Sequence, residues 1–304
     1  MDIRLENVLK YEQPTKYIVK SENYSDDFAL PVLTAGKSFV LGYTDETEGV
    51  CKASENPVII FDDFTADCKY VDFDFKVKSS AMKILHKANA EDNLKYYFYA
   101  MQAIDYTPFS HKRVWISEYS KFKIENRSVA EQNNIVKDLD TVATAIDNAK
   151  QRLNALDELV KSRFIEMFGA PVENPKGWDK KPLSDECKII TGNTPSRKNA
   201  DYYGNFIEWI KSDNINTPNA WLTTASEFLS EEGLKVGRSV EKDCILMTCI
   251  AGSIGCIGNV SVTDRKVTFN QQINGIIPNK NNVWYLYVLL NFQKAIFKVL
   301  SLWH

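Results

Sequence analysis

The stretch IVKDLDTVATAIDNAKQRLNALDELVKSRFIEM, residues 135–167, carries apolar side chains at alternating steps of four and three residues. Nine of the ten positions in the series are apolar, and polar residues such as Asp138, Asp147 and Lys150 lie between them. This spacing predicts a helix with a coiled-coil seam along one side. The seam consists of Ile135, Leu139, Val142, Ile146, Ala149, Leu153, Leu156, Val160, Arg163 and Met167.

Capping signals mark both ends of this helix. Ser128 with Glu131 forms a capping box, and Gly169 followed by Pro171 is a typical stop. We therefore predict a helix over about residues 129–168, with a seam roughly 50 Å long at 1.5 Å per residue. Most core helices have about a dozen residues, so the length favours a spacer or oligomerisation helix over a core helix of one compact domain.

The sequences on either side of the helix look like two versions of one module. Four pairs of segments match in the same order: 5–10 with 183–188, 14–16 with 195–197, 58–61 with 245–248, and 93–97 with 282–286. In both flanks, short β-rich runs precede an aromatic, helix-like stretch, residues 94–104 and 283–300. The pattern predicts a duplicated mixed α/β domain.

The predicted fold class is therefore α+β, with two mixed α/β domains separated by a long coiled-coil-type helix. We predict a first domain over residues 1–127, the helix over 128–169, and a second, C-terminally incomplete domain over 170–304. The segment PVENPKG, residues 171–177, reads as the linker between the helix and the second domain.

Composition excludes several classes of protein. The 304 residues include 37 basic and 40 acidic ones, a formal net charge of -3, so no global positive field indicates nucleic acid or anionic lipid. No apolar run reaches the ~18–20 residues that span a bilayer, and no signal peptide is recognisable. We expect a cytoplasmic protein without membrane contact. Its six cysteines contain no Cys-x-x-Cys pair, which predicts reduced core thiols and no metal site.

No catalytic motif is complete. Residues 34–38, TAGKS, end like a phosphate-binding loop, but Pro31 occupies the position of the required first glycine. The run after Ser38 also looks like a strand rather than the helix of that motif. Nuclease, adenine-methyltransferase and serine-hydrolase patterns are likewise incomplete. No complete catalytic constellation is therefore recognisable in the sequence, which leaves an enzyme of unrecognised type as the third-ranked hypothesis.

Basic and polar residues cluster in loops between the apolar runs. The second flank has TGNTPSRKN at residues 191–199 and KSDN at 211–214, and the first has SHKR at 110–113. Such residues bind phosphate oxygens and pair with base edges in the major groove, although basic loops are also common on ordinary solvated surfaces.

Taken together, the chain resembles the specificity (S) subunit of type I restriction-modification enzymes. The segments LDELVKSRFIEMFG, residues 156–169, and EQNNIV, residues 131–136, resemble the two ends of the family's central helix. Residues 191–196, 207–215, 252–255 and 270–272 resemble parts of a target-recognition domain. The resemblance covers nearly the whole chain.

This resemblance implies a function without catalysis. Two target-recognition domains would each read one half of a bipartite double-stranded DNA sequence, held about one DNA turn (~34 Å) apart by a helix that docks methyltransferase (M) subunits. The restriction (R) subunit would join them. S-adenosylmethionine, ATP and magnesium would belong to these partner subunits, so no cofactor is expected here. The rival hypothesis is a non-catalytic protein-interaction scaffold that binds no DNA.

The resemblance also implies which residues face DNA. We predict that the DNA-facing side includes Lys37, His111, Lys112, Arg113, Thr194, Ser196, Arg197, Lys198, Lys211, Ser212 and Asn214.

Two features depart from the family pattern. Residues 123–128, KIENRS, stand where the family has a proline-rich turn. The family's second long helix, which pairs antiparallel with the first, also has no counterpart before His304. We therefore expect the seam to be covered by a second copy of the chain, as a homodimer, or by the methyltransferase. The predicted partner-binding residues are Ile135, Leu139, Val142, Ile146, Leu153, Leu156 and Val160.

Overall fold

A computed structural model describes residues 2–35, 38–109, 112–250 and 254–300. The chain divides into two compact units, Met1–Lys150 and Gln151–His304. Within the described ranges, no helix is long and apolar enough to cross a membrane, and no three His, Cys, Asp or Glu side chains are grouped as metal ligands would be. All six cysteines are free thiols.

The described residues of unit one form three sheets, the smallest of them the antiparallel pair β1-β9, and two short α-helices before the long helix. A four-stranded antiparallel sheet has the order β2-β8-β5-β6, and a three-stranded sheet has the order β4-β3-β7 with β3 and β7 parallel. The elements are β1 (Asp2–Arg4), α1 (Leu5–Val8), β2 (Leu9–Glu12), β3 (Leu30–Leu33), β4 (Val40–Thr44), β5 (Val58–Asp62), β6 (Cys68–Val71), β7 (Lys76–Val77), β8 (Met82–Lys87), α2 (Leu94–Gln102) and β9 (Lys123–Glu125).

Strand β5 is buried along its whole length because both of its faces are covered. Ile59 and Phe61 enter a cluster with α2, whereas Val58 and Ile60 enter a second cluster with Leu33 and other residues of the smaller sheet. Successive side chains of a strand point to opposite faces, so this continuous apolar run serves two cores.

Unit two repeats this plan. It has two four-stranded sheets, one with the order β10-β17-β14-β15 and one with the order β12-β11-β16-β13, in which β11 and β16 are parallel. The elements are α4 (Leu183–Glu186), β10 (Cys187–Thr191), β11 (Tyr203–Ile210), β12 (Phe228–Leu229), α5 (Glu231–Val236), β13 (Ser239–Val240), β14 (Ile245–Thr248), β15 (Val260–Val262), β16 (Val267–Phe269), β17 (Ile273–Pro278) and α6 (Val283–Leu300).

The duplication predicted from sequence is confirmed by topology. In both units a four-residue helix leads into the edge strand of a four-stranded sheet, α1 into β2 and α4 into β10. The matched runs 58–61 and 245–248 are β5 and β14, which occupy the same place in their sheets. Asn93 and Asn282 both precede the helix that follows, and both accept hydrogen bonds from its first backbone N–H groups.

The long helix α3 (Val129–Phe168) has the predicted bounds. Ser128 and Glu131 form the capping box, with the Ser128 backbone N–H donating to Glu131 over 2.9 Å. At the other end Gly169 has a φ of +81°, which favours glycine, and the Lys176 ammonium donates to the carbonyls of Glu166 and Met167. Ahead of the helix, where the proline-rich turn is missing, β9 pairs antiparallel with β1.

Most of the seam of α3 is exposed within the chain. Exposed fractions run from 37% at Leu139 to 63% at Leu153, and Val142, Ile146, Leu156 and Val160 lie between these values. In unit one the helix instead buries Gln132 and Val136 against its own domain, and in unit two it buries Phe164. The first seam residue, Ile135, is half-buried and also packs against the core cluster of unit one, so the exposed seam begins at Leu139.

Candidate nucleic-acid interface

The polar loop after β10 is fixed tightly to the second unit. Gly192 donates to the carbonyl of Ile273 over 2.9 Å, and Asn193 donates to that of Phe269 over 3.0 Å. A Cβ at residue 192 would lie 2.5 Å from the Phe269 carbonyl oxygen and closer still to that of Asn270. Glycine is therefore needed for this close approach.

Arg197, in the same loop, is held on three sides. Its Nη2 donates to Glu227 Oε2 over 2.6 Å, and its guanidinium lies 4.4 Å from the centre of the Tyr203 ring and 5.1 Å from that of Trp209. The rings are tied to the loop in turn, since the Tyr203 hydroxyl donates to the carbonyl of Pro195 and the Trp209 indole N–H to that of Asn193. The loop and its arginine are thus positioned together.

Lys211 reaches the same carboxylate from the turn after β11. Its ammonium donates to Glu227 Oε1 over 2.8 Å and lies 5.5 Å from the centre of the Trp209 ring. Asn214 is only 8% exposed, because its amide accepts from the Lys211 backbone N–H and donates to the Thr224 carbonyl. In this structure Asn214 holds the turn that presents Lys211.

Glu227 is an ionised carboxylate between two cations. The hydrogen bond from Lys211 lowers its pKa, and Arg197 lowers it further, which outweighs the opposing effect of burial. Both cations and the carboxylate keep part of their surface in solvent, with 55% of the Arg197 side chain exposed and about a third of the other two. We call Arg197, Lys211, Glu227, Tyr203 and Trp209 the clamp.

Thr194 joins this loop to the segment before β17. Its hydroxyl donates to the Gln271 side chain, and the neighbouring Gln272 carbonyl accepts from the backbone N–H groups of Cys249 and Ile250. Ser196 and Lys198 are exposed beside Arg197, and Ser212 is half-buried in the Lys211 turn. The structure thus gathers the predicted loops 191–199 and 211–214 with residues 270–272 in one region of unit two.

The first unit presents fewer of its predicted residues. Lys37 and His111 lie outside the described residues. Lys112 is exposed, and Arg113 lies 6.0 Å from the centre of the Phe64 ring, with its Nη2 3.5 Å from the Ser80 hydroxyl. These two basic residues share an exposed loop.

A buried ion pair anchors that loop. The backbone N–H groups of Val114 and Trp115 donate to the Asp63 carbonyl and to Asp63 Oδ1, over 3.0 and 2.9 Å. The other carboxylate oxygen lies 3.2 Å from the Lys83 ammonium, and both side chains are at most 2% exposed. The two backbone hydrogen bonds to Asp63 fix the base of the loop that carries Arg113, and Lys83 balances the buried charge of Asp63.

The two cations are recognisable from the sequence, but the groups that orient them are not. Trp209 and Tyr203 belong to an apolar run whose pairing was unknown, and Glu227 lies 16 residues after Lys211 in a segment without a motif. The pairing of β11 with the segment before β12, where the Trp209 N–H donates to the Glu227 carbonyl, brings them together.

A second surface lies where α3 meets α2 in unit one. Asp140 accepts hydrogen bonds from the Tyr99 hydroxyl and the Lys95 ammonium, over 2.6 and 2.9 Å. Beside this contact is a groove of about 370 Å³, lined largely by apolar side chains that include the seam residues Ile135 and Leu139. The seam is thus continuous with an open groove.

Comparisons with known proteins agree with these features. Residues 175–303 match the family model described as the type I restriction modification DNA specificity domain. The chain is 35% identical, over 309 residues, to the specificity subunit of the type I restriction enzyme EcoR124I/EcoR124II of Escherichia coli, covering 94% of this chain and 73% of the relative. It is also 35% identical over 119 residues to the HindI specificity subunit of Haemophilus influenzae, which covers 38% of this chain and 25% of that protein.

A solved structure shares the fold. The S subunit of a type I restriction-modification system from M. genitalium superposes with a TM-score of 0.58 at 14% identity, covering 98% of this chain and 78% of that one. The two-domain architecture with a long helix, the family model and the long match to the Escherichia coli protein agree. The chain belongs to the family of type I restriction enzyme specificity subunits.

Proposed function

We propose that this chain reads a bipartite double-stranded DNA sequence, with one half recognised by each unit. The clamp carries the proposal, because it presents two cations next to aromatic faces in a loop of unit two. Membership of the specificity-subunit family supports it. In unit one, the exposed Lys112 and Arg113 on an anchored loop support the same role.

The helix α3 is the proposed docking element for methyltransferase subunits. Its apolar seam is exposed and continuous with the groove in unit one, which suits an apolar partner surface. With 40 residues the helix is about 60 Å long, more than one turn of DNA. We also propose that a second copy of the chain covers the seam when no methyltransferase is present.

The chain itself catalyses no step in this proposal. S-adenosylmethionine, ATP and magnesium act in the methyltransferase and restriction subunits, and the complex works in the cytoplasm. The support is the family's role, since the relatives are named as specificity subunits of restriction enzymes.

A filter-retention assay tests DNA binding. The chain, alone and with its methyltransferase partner, is mixed with duplex DNA at low salt; we expect retention with the partner and weak retention without it, because the net charge is -3. Absence of binding even with the partner would favour the interaction scaffold. A variant with alanine at His111, Lys112, Arg113, Arg197, Lys198 and Lys211 should bind poorly.

The variant removes five positive charges, because His111 is neutral in the formal charge count. A matched control removes five other positive charges from surfaces not assigned to DNA. The control changes five exposed lysines that pair with carboxylates: Lys20, Lys52, Lys181, Lys235 and Lys266. Their replacement by alanine should weaken retention much less. Equal effects of the two variants would contradict the assigned DNA-facing surface.

A further inference from the structure

Glu227 reduces the positive charge of the surface on which it lies. A site built only to attract the DNA backbone gains from free cations, because each neutralised phosphate releases a counterion. Here one carboxylate touches both Arg197 and Lys211, and about a third of its surface is exposed. This exposed negative charge repels an approaching phosphate, so the arrangement costs general affinity for nucleic acid.

The same carboxylate fixes the orientation of the Arg197 guanidinium. Free arginine side chains have many rotamers, but the Arg197 guanidinium is bonded to Glu227 and lies against Tyr203 and Trp209. Guanidinium has five N–H donors in a planar fork. The bond to Glu227 uses one donor, and 55% of the side chain remains exposed. The exposed part of the fork is therefore held in a fixed plane.

A fixed fork suits a ligand with two acceptors side by side. In the major groove only guanine offers two adjacent acceptors, O6 and N7, and arginine is their usual partner. A phosphate also accepts from arginine, but it repels the neighbouring carboxylate, whereas the neutral base edge carries no net charge. Among nucleic-acid acceptors the clamp thus favours the base edge.

We propose that Glu227 is a specificity-determining residue that positions Arg197 to read one guanine and lowers the affinity for other DNA. The inference rests on the proposed function and names the ligand of one part of that surface. Glu227 acts through Arg197 and is a positioning residue, whereas Arg197 makes the contact.

The test is selection from a random-sequence duplex library. The full chain with its methyltransferase partner is used, comparing wild type with Glu227→Gln. We expect the wild type to enrich a bipartite sequence in which one G·C pair depends on the clamp. The Gln variant should lose roughly 5- to 150-fold discrimination at that pair. It should bind unselected duplex more tightly, with a salt dependence steeper by about one counterion.

Two control variants separate position from charge. Glu241→Gln removes an exposed carboxylate of the same unit, paired with Lys266, and should leave discrimination unchanged. Arg197→Lys keeps the charge but loses the fork. It should relax the same single base pair as Glu227→Gln while leaving binding to unselected duplex nearly unchanged.

The outcomes are distinct. If wild type enriches a sequence and Glu227→Gln enriches it equally well, or weakens all sequences alike, the inference is overturned while the proposed function stands. If Arg197→Lys reads the same base pair as wild type, the assignment of Arg197 is also overturned. If wild type enriches no sequence, the proposed function itself fails, and the inference with it.

Discussion

At residue 192 the backbone approaches the carbonyl oxygens of Phe269 and Asn270 so closely that no side chain fits. Gly192→Ala should therefore destabilise unit two, by about 1–3 kcal/mol or more, because the loop has to move away from β16. Denaturant unfolding of the wild type and the variant measures the loss.

Gly204→Ala is the control for this prediction. Its Cβ would lie 3.2 Å from the Cβ of Ser230 and 3.4 and 3.6 Å from the Cα and N atoms of that residue, so a shift of a few tenths of an ångström (~0.3 Å) relieves the contact. We expect a clearly smaller loss of stability. Equal losses at both positions would show that the close approach at residue 192 is not the cause.

The lowered pKa of Glu208 predicts that the stability of the folded protein depends on pH. The hydrogen bonds from Arg265 lower the pKa of Glu208 below its ordinary value, against the effect of burial. A carboxyl whose pKa is lower in the folded state stabilises it above its unfolded pKa of about 4.3, and this contribution is lost as the pH falls through the folded pKa. We expect wild type to lose stability below about pH 5 more steeply than Glu208→Gln does.

The size of this effect is modest but measurable. The Glu208 side chain is only 11% exposed, so Glu208→Gln should cost about 1–3 kcal/mol at pH 7. Glu232, whose pair with Lys235 is more than 60% exposed on both sides, is the matched control and its change to Gln should cost little. Thermal melts of wild type, Glu208→Gln and Glu232→Gln between about pH 3 and pH 7 show how steeply each protein loses stability as the pH falls.

Individual residues could be predicted from sequence only in part. Arg197 and Lys211 were found as basic residues in polar loops, and the structure brings them to one carboxylate. Glu227 could not be found, because its place beside them depends on the pairing around β11 and not on local spacing. The DNA contact of Asn214 stays a prediction, and the hydrogen bonds of its amide to the Lys211 N–H and the Thr224 carbonyl could not be read from the sequence.

Among the elements, α3 carries both buried and exposed apolar residues along a single helix. Val136 is 7% exposed and packs in the core cluster of unit one, whereas Val142 is 54% exposed. Val136→Ala should cost about 1–3 kcal/mol, and Val142→Ala should stay within about 0.5 kcal/mol of wild type. Chemical denaturation monitored at low protein concentration tests this pair, and the reverse order would contradict the docking of α3.

Elements with a strong period or a clear cap were predictable. The seam and the capping box fixed the bounds of α3 as residues 129–168, and the matched runs 58–61 and 245–248 became equivalent strands. The burial pattern was not predictable from the period. A 3.5-residue repeat shows which side chains form a stripe, but the contact with α2 selects Gln132, Val136 and Asp140 instead.

For the whole molecule, the exposed seam raises the question of association. Leu139, Val142, Ile146, Leu153 and Leu156 are each at least 37% exposed, and fully burying such a side chain is worth about 1.5–3 kcal/mol. The seam spacing is symmetric about residue 151, so two copies running antiparallel can pair their apolar positions across a twofold axis. We therefore expect the isolated chain to form a homodimer through α3, or to be insoluble without its methyltransferase.

Charge at the centre of the seam predicts how this dimer responds to salt. In the antiparallel register Lys150 and Arg152 lie near their own copies, and these like charges oppose pairing. Salt screens them while leaving apolar burial intact, so the dimer should become tighter as ionic strength rises.

Analytical ultracentrifugation at low and high salt measures the dissociation constant, with Ile146→Glu and Leu153→Glu as variants that should be monomeric. Glu158→Gln, which alters an exposed pair on the same helix outside the seam, should dimerise like wild type. A stable wild-type monomer at tens of micromolar (about the range where a weak apolar seam still pairs) would contradict the dimer.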